Sequence, residues 1–307
     1  MRVRVLGAAA GGGFPQWNAN SGACRRARHG DPLARPATQA SIAISADDRR
    51  WLLLNASPDL RQQIEAIPAL QPRHGLRSSP IAAIVLTNSD VDAVAGLLHL
   101  REGTPFALYA HRKVLAVLDR NPIFEVVDRA VVPRRGLESE DLVLVNDAAD
   151  EPLGLAVRPF LAPGKVPLYL EGESGRLDTA ALDGDTLGVE IEVDGSRLVY
   201  LANCAQLTPA LLDRLAGADL LFLDGTLWRD DEMIEQGVGG RTGRRMGHIS
   251  MSGPDGAIAR LRGVPVGRRI FIHINNTNPA LLADSAERAE LEAAGWEVAY
   301  DGMELTL

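Results

Sequence analysis

The stretch "IAAIVLTNSDVDAVAGL" (residues 81–97) decides the fold, because in it an apolar run gives way to two closely spaced carboxylates. Residues 81–86 are apolar throughout, as expected of a strand that is covered on both faces. The residues that follow are amphipathic and predict a helix over 91–100. Asp90 and Asp92 therefore lie where a strand ends and a helix begins. In that position they are either metal ligands or acids that the helix dipole favours at a helix N-terminus.

Short β-type runs recur along the whole chain and predict the remaining strands: 2–6, 40–45, 51–55, 106–110, 155–160, 188–193, 197–202, 220–224, 268–274 and 296–300. Helical patterns fall between pairs of these runs, at 60–67, 111–119, 208–216, 254–262 and 284–294. Helices and strands do not alternate one for one, so a doubly wound sheet fits poorly. Two packed sheets with helices outside fit better. No repeat or linker divides the chain, so we expect a single domain over 1–307.

The composition limits the classes of protein to which the chain can belong. Its 307 residues are 46% hydrophobic and carry a net charge of −8. This charge argues against a nucleic acid as partner, since a phosphate backbone calls for a basic surface. No run approaches the roughly 20 apolar residues that cross a bilayer, and the first residues do not resemble a signal peptide. Cys24 and Cys204 are too few for a disulfide framework, so we expect a cytoplasmic protein.

Two irregular segments are rich in glycine. The first, "GAAAGGGFPQWNANSG" (7–22), has the spacing of neither a dinucleotide-binding fingerprint nor a P-loop, so a structural or substrate-facing loop is favoured over a nucleotide site. The second, "EQGVGGRTGRRMGHIS" (235–250), is basic and ends near a histidine. Long loops of this kind often border active sites.

Three more side chains with metal-binding chemistry lie at the ends of predicted strands. Asp224 follows "LLFL", His248 follows the basic loop, and His273 lies within "RRIFIHINNTNP". Each has an ordinary structural explanation when it is taken alone. Asp224 could be a turn residue in "DGT", and His273 could be a packed strand histidine. The order of all these residues along the chain favours a shared function.

That order resembles the metallo-β-lactamase superfamily, whose defining loop reads T-H-x-H-x-D-H-x-x-G-L after a strand. Residues 87–97 stand in the same register. The positions that match are Asp92, Gly96 and Leu97. The three histidines of the motif are replaced, in chain order, by Asn88, Asp90 and Ala93.

The later ligand positions of the superfamily can also be placed on this sequence. Lys165 in "PGK" (163–165) stands where the superfamily often has a histidine, whereas Asp224 and His273 match the bridging aspartate and the last histidine. "MGHIS" (246–250) resembles the G-H-x-S/T loop of the tRNase Z-like branch. The resemblance implies an αββα sandwich of the α/β (α+β) class, with two mixed sheets and helices outside.

A closer resemblance covers essentially the whole chain. The segments that carry it are "LGAAAGGGFPQWN", "LLNASPDLRQQI", "LLHLREG", "DGTLWRDDEM", "GVGGRTGRRMGH" and "HINNTNP". They look like the PqqB family of pyrroloquinoline quinone (PQQ) biosynthesis, in which PQQ is made from a ribosomal peptide. The resemblance implies one of two roles. One is iron-dependent hydroxylation of the tyrosine ring in a Glu–Tyr-derived precursor, and the other is transport of PQQ or a precursor.

The resemblance implies a metal centre whose candidate ligands are Asp90, Asp92, Asp224 and His273. His248 and Asp90 are the candidates for catalytic or supporting roles. A set rich in oxygen ligands with one or two imidazoles suits Fe(II) or Mn(II) better than zinc, and we expect Fe(II) in a weakened site. Arginine forks match carboxylates, so the residues expected to bind substrate carboxylates are Lys165, Arg241, Arg244 and Arg245.

Two departures from the families limit these expectations. The PqqB-like loop usually carries a cysteine cluster that holds a structural zinc, but here Cys24 stands alone, and one thiolate cannot close a tetrahedral site. We therefore expect no structural zinc. Ala93 removes a further ligand from the metal loop. His99 cannot replace it, because it lies seven residues beyond Asp92, roughly 10 Å farther along a helix.

Three functions remain open at this point: an Fe(II)-dependent oxygenase, a soluble carrier with a silent site, and a metallo-hydrolase. The missing histidines and Lys165 count against the hydrolase. The expected partners are the Glu–Tyr-derived precursor or PQQ, other proteins of the PQQ pathway and a second copy of the chain in a homodimer.

Overall fold

Two β-sheets packed face to face, with helices against their outer faces, make up the part of the chain that the computed structural model describes, residues 1–138, 140–174 and 178–307. Each sheet has seven strands within these residues, numbered here in chain order. In spatial order the first sheet consists of β14 (Glu304–Thr306), β1 (Arg2–Gly7), β2 (Ser41–Ser45), β3 (Trp51–Leu54), β4 (Ile81–Leu86), β5 (Ala107–Ala110) and β6 (Arg134–Gly136). The second consists of β13 (Glu297–Val298), β12 (Arg268–Ile272), β11 (Leu220–Asp224), β10 (Ser196–Leu201), β9 (Leu187–Val193), β8 (Pro152–Leu161) and β7 (Val143–Asn146).

Both sheets are mixed, as predicted. In the first, β14, β1, β2 and β3 pair antiparallel, and β3 to β6 pair parallel. In the second, β7 to β10 pair antiparallel, and β10 to β13 pair parallel. The predicted αββα sandwich with two mixed sheets is therefore confirmed.

Side chains that alternate along the strands divide the core into layers. In β2, Ile42 and Ile44 belong to the apolar cluster between the sheets, whereas Ala43 packs on the opposite face with helix residues. On the outer face of the second sheet, Leu215 and Leu291 from two helices pack against strand residues. Because successive strand residues point to opposite faces, one apolar strand contributes to two layers at once.

Helices connect the strands and cover the sheets. The α-helices among the described residues are α1 (Gly22–Arg28), α2 (Leu60–Ala66), α3 (Val91–Val94), α4 (Arg112–Arg120), α5 (Glu171–Ser174), α6 (Pro209–Leu215), α7 (Glu232–Glu235), α8 (Ala257–Arg260) and α9 (Ala286–Ala293). Short 3₁₀-helices lie at Pro68–Leu70, Ala95–Leu100, Pro122–Val126, Leu168–Leu170, Arg244–Met246 and Pro279–Leu281. No helix of this part of the chain is long and apolar enough to cross a membrane.

The helix predicted over 91–100 is only partly correct. It is α-helical at Val91–Val94 and continues as a 3₁₀-helix. The segment that follows β3 forms hydrogen bonds with backbone groups that a longer α-helix would use. Ala56 donates its N–H to the carbonyl of Ala93, 2.7 Å away, and its own carbonyl accepts the N–H of Gly96 at 2.8 Å. Both groups would otherwise bond four residues along the helix.

Several short elements were not predicted. Strands β6, β7 and β14 are short, and α1 begins inside a segment that was interpreted as a loop. Strand β13 keeps only two of the five residues predicted over 296–300. Short strands show little hydrophobic periodicity in their sequence, so their formation depends on pairing with a neighbouring strand. The single domain predicted over 1–307 stays a prediction.

The sandwich places the candidate site residues at one end of both sheets. Asp90 and Asp92 follow the carboxyl end of β4 in the first sheet. Asp224 ends β11 and His273 follows β12 in the second sheet. His273 has a φ of 61°, in the left-handed region that side chains rarely adopt. An unusual backbone conformation at a strand end is common where a side chain serves a site.

Gly96 generates a prediction about stability. A β-carbon built on it would lie 2.1 Å from the carbonyl oxygen of Ser57, so Gly96→Ala must push two backbone segments apart. We expect a loss of about 1–3 kcal/mol in the free energy of unfolding, measured by urea denaturation. Gly22→Ala is the matched control, because a β-carbon there meets nothing within 4 Å and alanine favours the helix. Equal stability of the two variants would contradict the close approach at Gly96.

Candidate metal site

Asp224 is the most deeply buried of the candidate ligands. Its side chain is fully buried at the end of β11. Its Oδ2 accepts the backbone N–H of Cys204 at 2.9 Å, and its Oδ1 accepts that of Thr226 at 3.0 Å. These two donors fix the plane of the carboxylate, and each oxygen keeps one lone pair for another partner.

Asp92 and His273 meet across the two sheets. The Oδ2 of Asp92 lies 2.8 Å from the Nε2 of His273. Burial acts against charge on both groups, but their mutual contact outweighs it. The pKa of Asp92 is therefore below its usual value, and the pKa of His273 is above its own. Both shifts favour a carboxylate that faces a positive charge.

His248 completes the group from the basic glycine-rich loop. Its Nδ1 lies 2.8 Å from the Oδ2 of Asp224, and its ring stacks on that of His273 with centroids 5.3 Å apart. The backbone of the loop sets this position, since Gly247 has a φ of 86° and the N–H of Ile249 donates to the carbonyl of Cys204 at 2.6 Å. Glycine adopts this φ without strain.

Thr226 joins these residues, and the sequence analysis did not identify it. Its Oγ1 lies 2.7 Å from the Oδ1 of Asp224, 3.0 Å from the Nδ1 of His248 and 2.8 Å from the Nδ1 of His273. The threonine follows Asp224 by two residues, in the "DGT" that was interpreted as a turn. A hydroxyl two residues after an aspartate is a known turn signal, but it does not reveal contacts with distant histidines.

The hydrogen bonds of the Thr226 hydroxyl allow a cation to lie between Asp92 and His273. A carboxylate only accepts, so the Thr226 hydroxyl donates to Asp224, and its oxygen then accepts the Nδ1–H of His273. The Nε2 of a neutral His273 ring then carries no proton, although it lies 2.8 Å from a carboxylate oxygen. Two acceptors at that distance need a proton or a metal ion between them.

The spacing of the group also fits one metal ion. Two ligand atoms at about 2.1 Å from an ion and at right angles to each other lie about 3 Å apart, close to the contacts of Asp92 with His273 and of Asp224 with His248. Asp224, His248 and His273 offer ligand atoms that all lie within 4.8 Å of one another. Two imidazoles with one or two carboxylates suit Fe(II), Mn(II) or zinc.

Two other positions of the metal loop differ in their surroundings. Asp90 lines the same cavity as Asp92, and burial together with the charge of Asp92 raises the pKa of Asp90 to about 6. Ala93 packs in the apolar layer between the first sheet and its helices. His99 is exposed on the 3₁₀-helix and lies outside the described cluster, in keeping with the sequence analysis.

A cavity of about 1040 Å³ opens above the cluster. Asp90, Asp92, His248 and His273 line it together with Thr226. Further lining residues come from the two glycine-rich loops, from α7 and from the segment around Lys165, among them Gly11, Gln16, Asn18, Lys165, Leu168, Tyr169, Met233, Val238, Arg241 and Met246. Both irregular loops of the sequence therefore border the site, as expected of substrate-facing loops.

The four expected substrate-binding cations do not all lie together. Lys165 and Arg241 line the large cavity, and Arg245 lies beside them through its contact with Glu171. Arg244 lines two smaller neighbouring cavities instead.

Cys24 lies in a small apolar cluster, with its Sγ 4.0 Å from the Oδ1 of Asn276. The expectation that no structural zinc binds there stays a prediction.

Comparisons with known proteins agree with this geometry. The family profile described as the beta-lactamase superfamily domain matches residues 50–274. The coenzyme PQQ synthesis protein B of Gluconacetobacter diazotrophicus is 55% identical, with 98% of each chain covered, and that of Methylorubrum extorquens is 53% identical over the full length of both chains. A crystal structure described as Zn²⁺-bound PqqB from Methylobacterium extorquens superposes with a TM-score of 0.95 at 52% identity, covering both chains completely.

A more distant structure shares the fold alone. A diphosphatase of the PhnP family superposes with a TM-score of 0.67 at 21% identity, covering 99% of this chain and 97% of its own. The fold and the cluster at its edge define a protein of the beta-lactamase superfamily. Within it, the chain belongs to the family of coenzyme PQQ synthesis B proteins.

Thr226 generates a prediction about metal binding. Thr226→Val keeps the shape of the side chain but removes the hydroxyl that holds both rings, so we expect Fe(II) and Zn²⁺ to bind about tenfold or more weakly in a competition titration. Thr226→Ser, which keeps the hydroxyl, should restore most of the affinity. Unchanged affinity in the valine variant, with an unchanged melting temperature, would show that the hydroxyl does not orient the ligands.

Proposed function

We propose that the chain takes part in PQQ biosynthesis by metal-dependent hydroxylation of the tyrosine ring of a Glu–Tyr-derived precursor. The observation that carries the proposal is the convergence of Asp92, Asp224, His248 and His273 at the base of a cavity large enough for such a ligand. Ligand cavities of this kind usually measure about 300–1000 Å³. Membership of the family supports the pathway.

Asp92, Asp224, His248 and His273 would hold Fe(II), with Asp90 beside them. Two histidines with a carboxylate form the ligand pattern of non-haem iron oxygenases. Iron bound there would supply the activation of molecular oxygen. Overall, one oxygen atom enters the ring and the other leaves as water, with two electrons from an external reductant.

The protein's own groups would handle protons. His248 lies with its Nδ1 2.8 Å from the Oδ2 of Asp224 and would be occupied as a metal ligand, so it is not the base. Asp90 has a pKa of about 6, so it can take up or release a proton near neutral pH. A phenol beside Asp90 would lose its proton to this carboxylate.

The cavity walls would position the substrate. Leu168, Met233, Val238 and Met246 add apolar surface to the cavity lining and would exclude water from the ring. Lys165 and Arg241 also line the cavity, with Arg245 beside them through Glu171, and these three cations would bind the glutamate-derived carboxylates.

A soluble carrier of PQQ or its precursor is the second candidate. It is favoured by the replacement of the loop histidines by Asn88, Asp90 and Ala93, which weakens the metal site. A metallo-hydrolase has less support, since Lys165 also stands in a histidine position. Metal analysis with single-turnover assays distinguishes the three: iron with oxygen consumption, tight quinone binding without metal, or zinc with ester hydrolysis.

Asp92→Ala tests the hydroxylase directly. Removing this carboxylate leaves the Nε2 of His273 without its partner, so we expect loss of iron and of oxygen consumption in protein purified without oxygen. Asp213→Ala, at an exposed position of α6, is the control and should keep both. If the Asp92 variant retains both iron and turnover, the assignment of this site is wrong.

A further inference from the structure

A partly buried carboxylate lies within a group of cations at the edge of the large cavity. Glu171 begins α5, and its side chain is only 12% exposed. Its oxygens lie 3.5 Å from the Nζ of Lys165, 3.8 Å from the Nη1 of Arg241 and 3.1 Å from the Nη2 of Arg245. We call these three cations the basic group. Three positive charges around one carboxylate leave an excess of two among these four residues.

The contact with Arg245 has the geometry by which arginine recognises a carboxylate. Its Nη1 lies 3.4 Å from the Oε1 of Glu171, and its Nη2 lies 3.1 Å from the Oε2. Two parallel contacts of this kind form the fork that matches carboxylates and phosphates. The position of the Glu171 carboxylate is therefore one that a ligand carboxylate could fill equally well.

Two members of the basic group line the same cavity as the metal cluster. Lys165 and Arg241 line that cavity together with Asp92, His248 and His273. A ligand with its ring at the cluster can thus extend a carboxylate to the basic group.

The segment that carries Glu171 has a second attachment. The hydroxyl of Tyr169 donates to the carbonyl of Ser89, 2.6 Å away, within the metal loop. The Glu171 side chain could turn away while this bond keeps the segment in place. Exchange of one carboxylate for another would also keep a negative charge beside the three cations, so none of them is left without a carboxylate partner.

We propose that Lys165, Arg241 and Arg245 form a carboxylate-binding subsite that Glu171 occupies in the ligand-free protein, and that a carboxylate of the ligand takes the place of Glu171 on binding. The ligand class is an aromatic carboxylic acid. This identity rests on the proposed function, whereas the exchange itself does not depend on catalysis.

The first test compares two neighbouring arginines. We expect Arg245→Gln to weaken the binding of PQQ, an aromatic carboxylate, to metal-free protein about tenfold or more in a fluorescence titration. Arg244→Gln is the matched control, because Arg244 lines other cavities, and it should change the affinity by less than about twofold. Equal effects of the two variants would overturn the subsite.

The second test removes the competing carboxylate. If Glu171 occupies the subsite for about nine-tenths of the time, Glu171→Gln should tighten PQQ binding about tenfold. Glu297→Gln removes a comparable arginine partner at an exposed pair with Arg268 and should leave the affinity unchanged. Weaker or unchanged binding in the Glu171 variant, at an unchanged melting temperature, would mean that Glu171 is only a structural partner.

These titrations use metal-free protein and no turnover, so their outcome is separate from that of the hydroxylase assay. If the wild-type protein consumes no oxygen in the hydroxylase assay but both binding effects are observed, the proposed hydroxylase is overturned and the subsite is retained. Iron-dependent turnover without either effect would overturn the subsite alone.

Discussion

The contact between Asp92 and His273 is the interaction on which the site depends. The two residues are 181 positions apart in the chain and belong to different sheets. The contact therefore exists only when the two halves of the sandwich are packed in the correct register. Around it, Thr226 joins His273 to Asp224 and His248, so that one hydroxyl connects both imidazoles to the second carboxylate. The candidate metal site thus depends on packing between the sheets as much as on the candidate ligands themselves.

The sequence predicted those parts of the fold that carry strong patterns. Strand β4 was predicted with its observed ends, because a fully apolar run of six residues between turn signals admits few other structures. The end of α3 was not predicted correctly, because it is determined by hydrogen bonds with Ala56, which is far away in the chain. The short edge strands form mainly through pairing with their neighbours, which local composition does not show.

The candidate site was predicted in outline. Asp92, Asp224, His248 and His273 do come together, and the family resemblance pointed to them through short motifs. Thr226 was missed, because a threonine in a turn carries no sign of its distant partners. The basic residues near position 241 were grouped by sequence alone, and the structure separates them by the cavity that each one faces.

That separation has a consequence for the length of the basic loop. Arg244 and Arg245 are neighbours in one 3₁₀ turn, yet one faces two small cavities and the other faces Glu171. Insertion or deletion of one residue before this turn would move one of these arginines into the position of the other and, a few positions later, would displace His248 from Asp224. The contact of Arg245 with Glu171 and that of His248 with Asp224 therefore both depend on the length of this loop. Natural variation there should favour substitutions over changes in length.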